Sequence, residues 1–465
     1  RQGAVADALA ALDRAALGPA ERHWVALLER ALGMLPLDDG QAVLGGQVEG
    51  GARLINSDRL DVVRPLADSL NLYWYTGIFD AWADAGPVVA AFGLTQDTYY
   101  DEDPDGLDTA LRLITRSEDT YVGAHTRLAA VYLGRFGNRW GVAGQDAVLV
   151  SPNPRSQDQL FVRLGGDRFG LRGFLSELDS ITETGEFTGR TGDTFRGDAG
   201  RRRFLAAHRW DWRPSPRFAL TFMESAVYSG PNAGFSLKYL NPMHPLIFVV
   251  DNTPKNDENN GFVGAMLWAQ HRRLTFHGQL VVDDLDARGE SGDETISFAL
   301  ATGLTYAAPR FDLGATVTAV GSRTYNAPQP EGKYLFALRG LGTEFSDFVH
   351  AAAFADLYLD ALAPGLRLTP RLDLLAQGER SGIDAPFPST EESIDNILDG
   401  VVERTVRPAL QLEYRPVPWG WIRLDGGVNF TNNVAHENEA SRTRFVGLAA
   451  FGLQLTINRA VRLAL

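Results

Sequence analysis

The sequence predicts an all-β chain with a small α-helical N-terminal segment, its bulk a large antiparallel transmembrane β-barrel of about 18 strands (16–20). Three observations carry this. From about Val43, large apolar residues alternate with small or polar ones almost to the end. Tight Pro- or Gly-containing turns alternate with long polar stretches. No uninterrupted apolar run of about 18 residues offers a transmembrane helix, and a mean hydropathy of −0.14 excludes a polytopic helical membrane protein. A barrel needs no such run, because lipid-facing and lumen-facing residues alternate and average out.

The elements follow in chain order. In the first 36 residues, "VADALAALDRAAL" and "PAERHWVALLERALGMLP" read as two amphipathic helices. The second opens with Pro19 in its first turn and closes near Gly33 and Pro36. Trp24, Leu27, Leu28, Ala31 and Leu35 share one of its faces, so residues 1–40 are expected to form a hairpin docked on the body, with the barrel occupying 41–465. Beyond it, "ETISFALATGLTYAA" sets Ile296, Phe298, Leu300, Leu304 and Tyr306 against Ser297, Ala299, Ala301, Gly303 and Thr305. "TVRPALQLEYRP" and "WGWIRLDGGVNFT" repeat the pattern with Arg407, Gln411, Glu413, Arg423 and Asp425 on the polar face. Short turns such as "RPSPRF", "AAPRFD", "APGLRL" and "RPVPWGW" alternate with long stretches near 179–200, 251–261, 284–294, 323–333, 378–401 and 432–444. That is the up-and-down outer-membrane pattern. Tyr73, Trp74, Tyr75, Trp210, Trp212, Trp419 and Trp421 near strand ends are read as two interfacial girdles.

Composition removes several functions. With no cysteine there is no disulfide framework, thiolate metal site or cysteine nucleophile. A net charge of −14 argues against a nucleic-acid partner. The basic residues are nearly all Arg, the lysines being Lys238, Lys255 and Lys333, which suits forks that line a polar channel or grip carboxylates and phosphates. The start at Arg1 is read as a mature form whose signal peptide has been removed, and the end "NRAVRLAL" lacks the usual terminal aromatic, so the true C-terminus is expected beyond it.

Chemistry-bearing motifs are few. "DEDPDG" begins like a calcium loop, with Asp101, Asp103 and Asp105 at alternate positions. Arg112 stands at the twelfth position and Pro104 stiffens the turn, so an EF-hand is rejected; a looser calcium site and a solvated acidic turn both remain. Asp283 and Asp284 are adjacent in a strand and point to opposite faces, so they form no acid/base pair, and one is expected in the lumen. Glu224 falls in register with Phe218, Leu220 and Phe222, which would set a charge against lipid. A β-bulge turning it into the lumen, or a place at the membrane edge, would resolve the conflict. "RRRF" at 201–204 reads as a rim contact to anionic lipid or saccharide. The eight histidines include no HExxH, and no G-x-S-x-G is present.

The stretch "RFGNRWGVAGQDAVLVSPNPRS" resembles the R-W-G-x-G…L-x-L-S-x-N-A-R-P segment of the Wzi family of capsule-assembly outer-membrane proteins. Arg139, Trp140, Gly141, Gly144, Leu149, Ser151, Asn153 and Arg155 match, while "NPRS" replaces N-A-R-P and Val142 stands where Pro is common. "HRWDWRPSPRFALTFMESAVYSGP", "YLNPMHPLIF" and "GQLVVDDLD" follow in the family's order, so that the likeness spans roughly residues 125–290. The resemblance implies a barrel of about eighteen strands with a periplasmic helical bundle, acting as a lectin for capsular polysaccharide at the cell surface. It also implies that the opening stretch bends inward to close the lumen, with Arg139, Asn153 and Arg155 hydrogen-bonding inside.

The expected function is therefore a non-enzymatic outer-membrane barrel with a plugged lumen that binds extracellular polysaccharide through external loops. Its partners would be that polysaccharide, outer-membrane lipid and lipopolysaccharide, and periplasmic export machinery through the N-terminal helices. No cofactor is expected beyond the calcium reading. Tyr99, Tyr100 and Tyr325 offer aromatic faces for sugar, with Arg323 and Asn326 beside them. Two rivals stand: a porin or passive transport channel, and an outer-membrane hydrolase using His271 or His277 with Asp283 or Asp284.

Overall fold

Strict alternation over segments of about ten residues, closed by short turns, leaves antiparallel pairing of neighbours as the simplest way to satisfy every backbone group. The computed structural model describes residues 9, 12–13, 17–32, 41–56, 73–98, 115–142, 146–181, 186–188, 194–196, 201–230, 233–246, 249, 258–283, 297–387 and 394–462. Eighteen strands form one sheet: β1 Gln41–Ile55, β2 Tyr73–Asp84, β3 Val88–Asp97, β4 Thr115–His125, β5 Ala129–Phe136, β6 Gln157–Gly165, β7 Phe169–Leu178, β8 Arg202–Ser215, β9 Phe218–Gly230, β10 Glu258–His271, β11 Leu274–Asp283, β12 Ser297–Ala307, β13 Phe311–Val320, β14 Phe348–Tyr358, β15 Leu366–Gln377, β16 Glu403–Val417, β17 Gly420–Asn432 and β18 Ser441–Arg462. Each pairs antiparallel with the next, and β18 pairs with β1 from Gln41↔Arg462 to Ile55↔Leu448. The sheet is thus closed and has no edge.

One rim carries the short turns 85–87, 126–128, 166–168, 216–217, 272–273, 308–310, 359–365 and 418–419, together with the start of β1 and the end of β18. The long connections leave from the opposite rim. Outward-facing alternate residues such as Leu44, Val48, Phe79, Phe222, Leu372, Leu424, Phe451 and Ile457 are exposed and apolar, the surface that hydrocarbon requires. No described helix is long and apolar enough to cross a membrane, which says nothing of strands.

Of the expected helical hairpin, the structure describes α1, Pro19–Leu32; most of the first helix, and Leu35, lie outside the described residues. The Gly18 amide donates to Glu21 Oε2 (2.7 Å), completing the first turn behind Pro19. The helix abuts the short-turn rim: the Ala20 amide donates to Pro309 O (3.1 Å), and the His23 ring lies 5.1 Å from that of Tyr358. Trp24 and Leu28 remain exposed, so the expected apolar face is not wholly covered.

Two further expectations change. Trp74 is buried and Trp421 donates to lumen-facing Glu49 (3.1 Å), so neither belongs to a girdle, whereas Tyr73, Tyr75, Trp212 and Trp419 are exposed. The physical reason is period 2: a residue between two outward neighbours must point inward. Glu224 does not turn into the lumen either. The β8–β9 register runs unbroken from Arg202↔Gly230 to Trp212↔Leu220, and its shift comes only between Trp212 and Ser215. Glu224 faces outward and is buried because the connection after β9 folds back over the outer wall. Tyr239, Leu240, Leu246 and Val249 pack there on Leu175, Phe204, Ala206, Ala226 and Tyr228. This clip contains the short helix α2, Leu237–Leu240. Beneath it His208 Nδ1 meets Glu224 Oε1 (2.9 Å), His208 Nε2 donates to Tyr239 O (2.8 Å), and the Leu246 amide donates to Glu224 Oε1 (2.8 Å). The carboxylate is satisfied without water or lipid.

Candidate functional site

The lumen has two levels. Toward the long-loop rim it is filled by the β5–β6 and β13–β14 connections, which fold inward. Trp140, Val148, Leu149, Val150, Tyr325, Tyr334, Leu335 and Leu341 form one cluster with inward-facing wall residues including Phe174, Leu205, Met223, Val227, Phe262, Val281, Phe348 and Leu375. Several polar groups inside this plug pair with its backbone. Tyr334 Oη donates to Leu149 O and lies 2.9 Å from it, with Ser225 Oγ also at 2.9 Å; Tyr325 Oη donates to Val148 O. Gln279 clamps the β5–β6 connection from the wall, donating to Trp140 O (2.8 Å) and accepting from the Val148 amide (3.1 Å). Gly141 permits that approach: a Cβ there would sit 2.9 Å from both Ala147 Cβ and Gln279 Nε2.

Arg203 ties the other connection down. Wholly buried, it donates to the carbonyls of Glu331 (2.8 Å), Lys333 (2.6 Å) and Leu335 (3.1 Å). It also pairs with Asp179 at 3.3 Å. The "RRRF" stretch is therefore not one rim patch, because Arg203 points into the plug while Arg202 points outward and pairs with Glu177 (2.7 Å). Lys333 donates to Asn326 Oδ1 and Ala385 O. Burial pushes its amine down to about 7, against the pull of Asp384 and with the push of Arg203. Burial likewise raises the Tyr325 and Tyr334 phenols and the Asp347 carboxyl, although Asp347 accepts backbone N–H groups from Asp399 and Leu398.

The structure thus redistributes the sequence candidates. Tyr325 and Asn326, expected on an external loop, are buried in the plug, and Arg323 belongs to the same inward-folded connection. Their polarity is spent on internal bonds; the Tyr325 amide donates to lumen-facing Asp283 Oδ2 (2.8 Å). Of the motif residues, Trp140 is buried and Asn153 donates to Gly340 O (2.9 Å) and Glu344 (2.7 Å). Arg139 is instead exposed and bonds locally to Val142 O (3.2 Å), and Arg155 lies over the Phe336 ring (5.4 Å). Tyr99, Tyr100, Asp101, Asp103, Asp105, Gly144 and Asp284 lie outside the described residues. Sequence reasoning missed Arg203, Gln279 and Tyr334, all residues whose parity or loop position carries no mark of their partners.

Along β14–β17 the inner wall is charged. Arg407 pairs with Asp425 (2.6 Å), Arg367 with Glu413 (2.6 Å), and Arg371 with Asp373 (2.7 Å), which also receives His350 (3.0 Å). Tyr121, Tyr132, Phe136 and Phe161 form a half-buried aromatic cluster on β4–β6. His277 and Asp283 lie six residues apart on β11, roughly 20 Å at the strand rise, so the proposed hydrolase pair is not assembled. Among the described residues no serine or threonine hydroxyl bonds to a histidine ring, and no group of three or more carboxylates and histidines is placed to hold a metal ion.

Solved structures share this architecture. The chain superimposes over 100% of its length on Wzi of Escherichia coli, an outer-membrane protein involved in group 1 capsule assembly and a carbohydrate-binding β-barrel, covering 92% of that chain at 12% identity and a TM-score of 0.60. OccK3 (OpdO) of Pseudomonas aeruginosa matches 90% of this chain and 96% of its own at 12% identity and a TM-score of 0.50. At such identities the likeness is one of fold. No protein-family model matches the chain, and no curated protein matches its sequence.

Proposed function

We propose that the protein is an integral outer-membrane barrel that binds an extracellular polysaccharide, capsular or of another kind, at its long-loop rim and does not serve as an open pore. The observation that supports this most is the plug: two long connections joined to the wall in one apolar, hydrogen-bonded cluster. Close-packed interiors leave few voids larger than a water molecule. A barrel so filled spends its long loops on a rigid external surface. The fold shared with a carbohydrate-binding barrel agrees with that use.

Tyr99 and Tyr100 in the β3–β4 connection are the aromatic candidates for that surface, and Asp101, Asp103 and Asp105 beside them are the calcium candidates. The N-terminal segment, of which α1 meets the opposite rim, is the part of the chain that would meet periplasmic export machinery. The second reading, a passive channel, draws on the charged inner wall of β14–β17. Binding of purified polysaccharides to the protein in lipid nanodiscs tests the proposal. Saturable binding that Tyr99→Ala/Tyr100→Ala weakens about tenfold, a free-energy change of ~1.4 kcal/mol, supports it. Absence of binding to any polysaccharide, with ion flux through the barrel, contradicts it.

A further inference from the structure

We infer that the short-turn mouth of the barrel holds a second site, built to grip the carboxylates of an acidic polysaccharide and centred on Arg163, Arg172 and Arg213. This rests on the polysaccharide reading above and names the charge class of the chain. Three arginines face the lumen in one row across β6, β7 and β8: Arg163 stands opposite Arg172, and Arg172 opposite Arg209. Like charges directly across a sheet repel. Asp211 answers two of them, meeting Arg209 at 2.7 Å and Arg172 at 3.2 Å. Arg163 and Arg213 make no side-chain hydrogen bond or ion pair among the described residues, whereas Arg367, Arg371 and Arg407 on the far wall each hold a carboxylate.

The unanswered charge surrounds space. Arg163, Arg172 and Arg213, with Asp167 and Asp211, border a small solvent-open hollow of about 20 Å³, also lined by Gly165, Gly166 and Gly170. At Gly165 φ is +101° and a Cβ would meet Phe169 O at 2.5 Å, so only glycine lets β6 and β7 approach this closely beside the hollow. Bidentate guanidinium forks match a carboxylate in such a hollow.

The rim around it is basic on one side only. Exposed Arg127, Arg168, Arg217, Arg272, Arg273 and Arg310 occupy five successive short turns, from β4–β5 to β12–β13, while turns 85–87, 359–365 and 418–419 carry no arginine. Successive turns stand two strands apart, roughly 10 Å at the interstrand spacing. On a chain of net charge −14 this half-collar is a local reversal of sign. It continues the charge of the hollow and gives an extended polyanion a track into it. Lipid cannot be the occupant of the hollow, because Arg163 and Arg172 face the lumen and the wall separates them from hydrocarbon.

The test uses the full chain in neutral detergent, titrated calorimetrically with polygalacturonate, with neutral dextran and with phosphatidylglycerol vesicles. The expected result is binding of polygalacturonate but not dextran, weakened at least about tenfold by Arg163→Gln/Arg213→Gln and less by Arg272→Gln/Arg273→Gln, with each variant keeping the wild-type circular dichroism. Raising salt should weaken the collar contribution first, since exposed charges are screened most. Polygalacturonate binding unchanged in the Arg163/Arg213 variant overturns the inference and leaves the long-loop reading standing. Binding of vesicles alone overturns it in favour of a lipid surface. Failure of every polysaccharide, neutral or acidic, removes the functional reading as well.

Discussion

Arg203 shows what a single buried charge does here. Its guanidinium holds three carbonyls of the β13–β14 connection, one of which, Lys333 O, also accepts from the Leu335 amide (2.8 Å). Arg203→Met keeps the stem and removes the donors, leaving buried acceptors that cost about 1–3 kcal/mol each. Faster hydrogen exchange at the Tyr334 and Leu341 amides, with strand amides unchanged, is the expected outcome. Lys333 makes the plug sensitive to pH. Its folded pKa of about 7 lies below the unfolded value of about 10.4, so between these the unfolded segment binds more protons. Plug stability therefore rises as pH climbs through that window, and the cost of the buried ammonium is complete below about pH 7. Lys333→Met is expected to flatten this dependence, measured as proteolytic nicking of residues 321–347 between about pH 6 and pH 10. Parity shows in the sequence that one of Asp283 and Asp284 faces the lumen, but the girdle expectation leaves it unused at Trp74, which is grouped there with Tyr73 and Tyr75 and points inward. The partners of buried residues were not legible, because contacts such as Arg203 to Lys333 join positions 130 residues apart.

At the scale of elements, periodicity and turn chemistry carried the strand ladder and the alternation of short and long connections. The path of the long connections was hidden. Nothing in "GSRTYNAPQP" distinguishes a loop displayed to solvent from one folded inward, since a tyrosine or asparagine serves either surface. The outer clip was hidden for a similar reason. Glu224 announced a conflict with the lipid-facing register, and the resolution came from a segment more than ten residues downstream. His208→Ala is expected to leave Glu224 buried without its ring partner, at a cost of about 1–3 kcal/mol. His208→Leu/Glu224→Leu should restore most of it. Urea unfolding midpoints in detergent micelles measure both; an unperturbed midpoint in His208→Ala would contradict the role assigned to the pair.

Across the whole molecule, the closed sheet fixes an apolar exterior, and the two levels of the lumen divide its interior between a packed plug and a charged mouth. Removing calcium bears on the long-loop rim alone: if Asp101, Asp103 and Asp105 hold the ion, chelation weakens polysaccharide binding there and leaves the arginine-lined mouth unaffected. The central claim is that the barrel is closed by its own loops and works at its surface. Single-channel conductance in planar bilayers tests this most directly, comparing the refolded wild type with a variant whose residues 322–346 are replaced by a short Gly-Ser linker. The account predicts a silent wild type and a conducting variant; steady large openings of the wild type, indifferent to added polysaccharide, would contradict it.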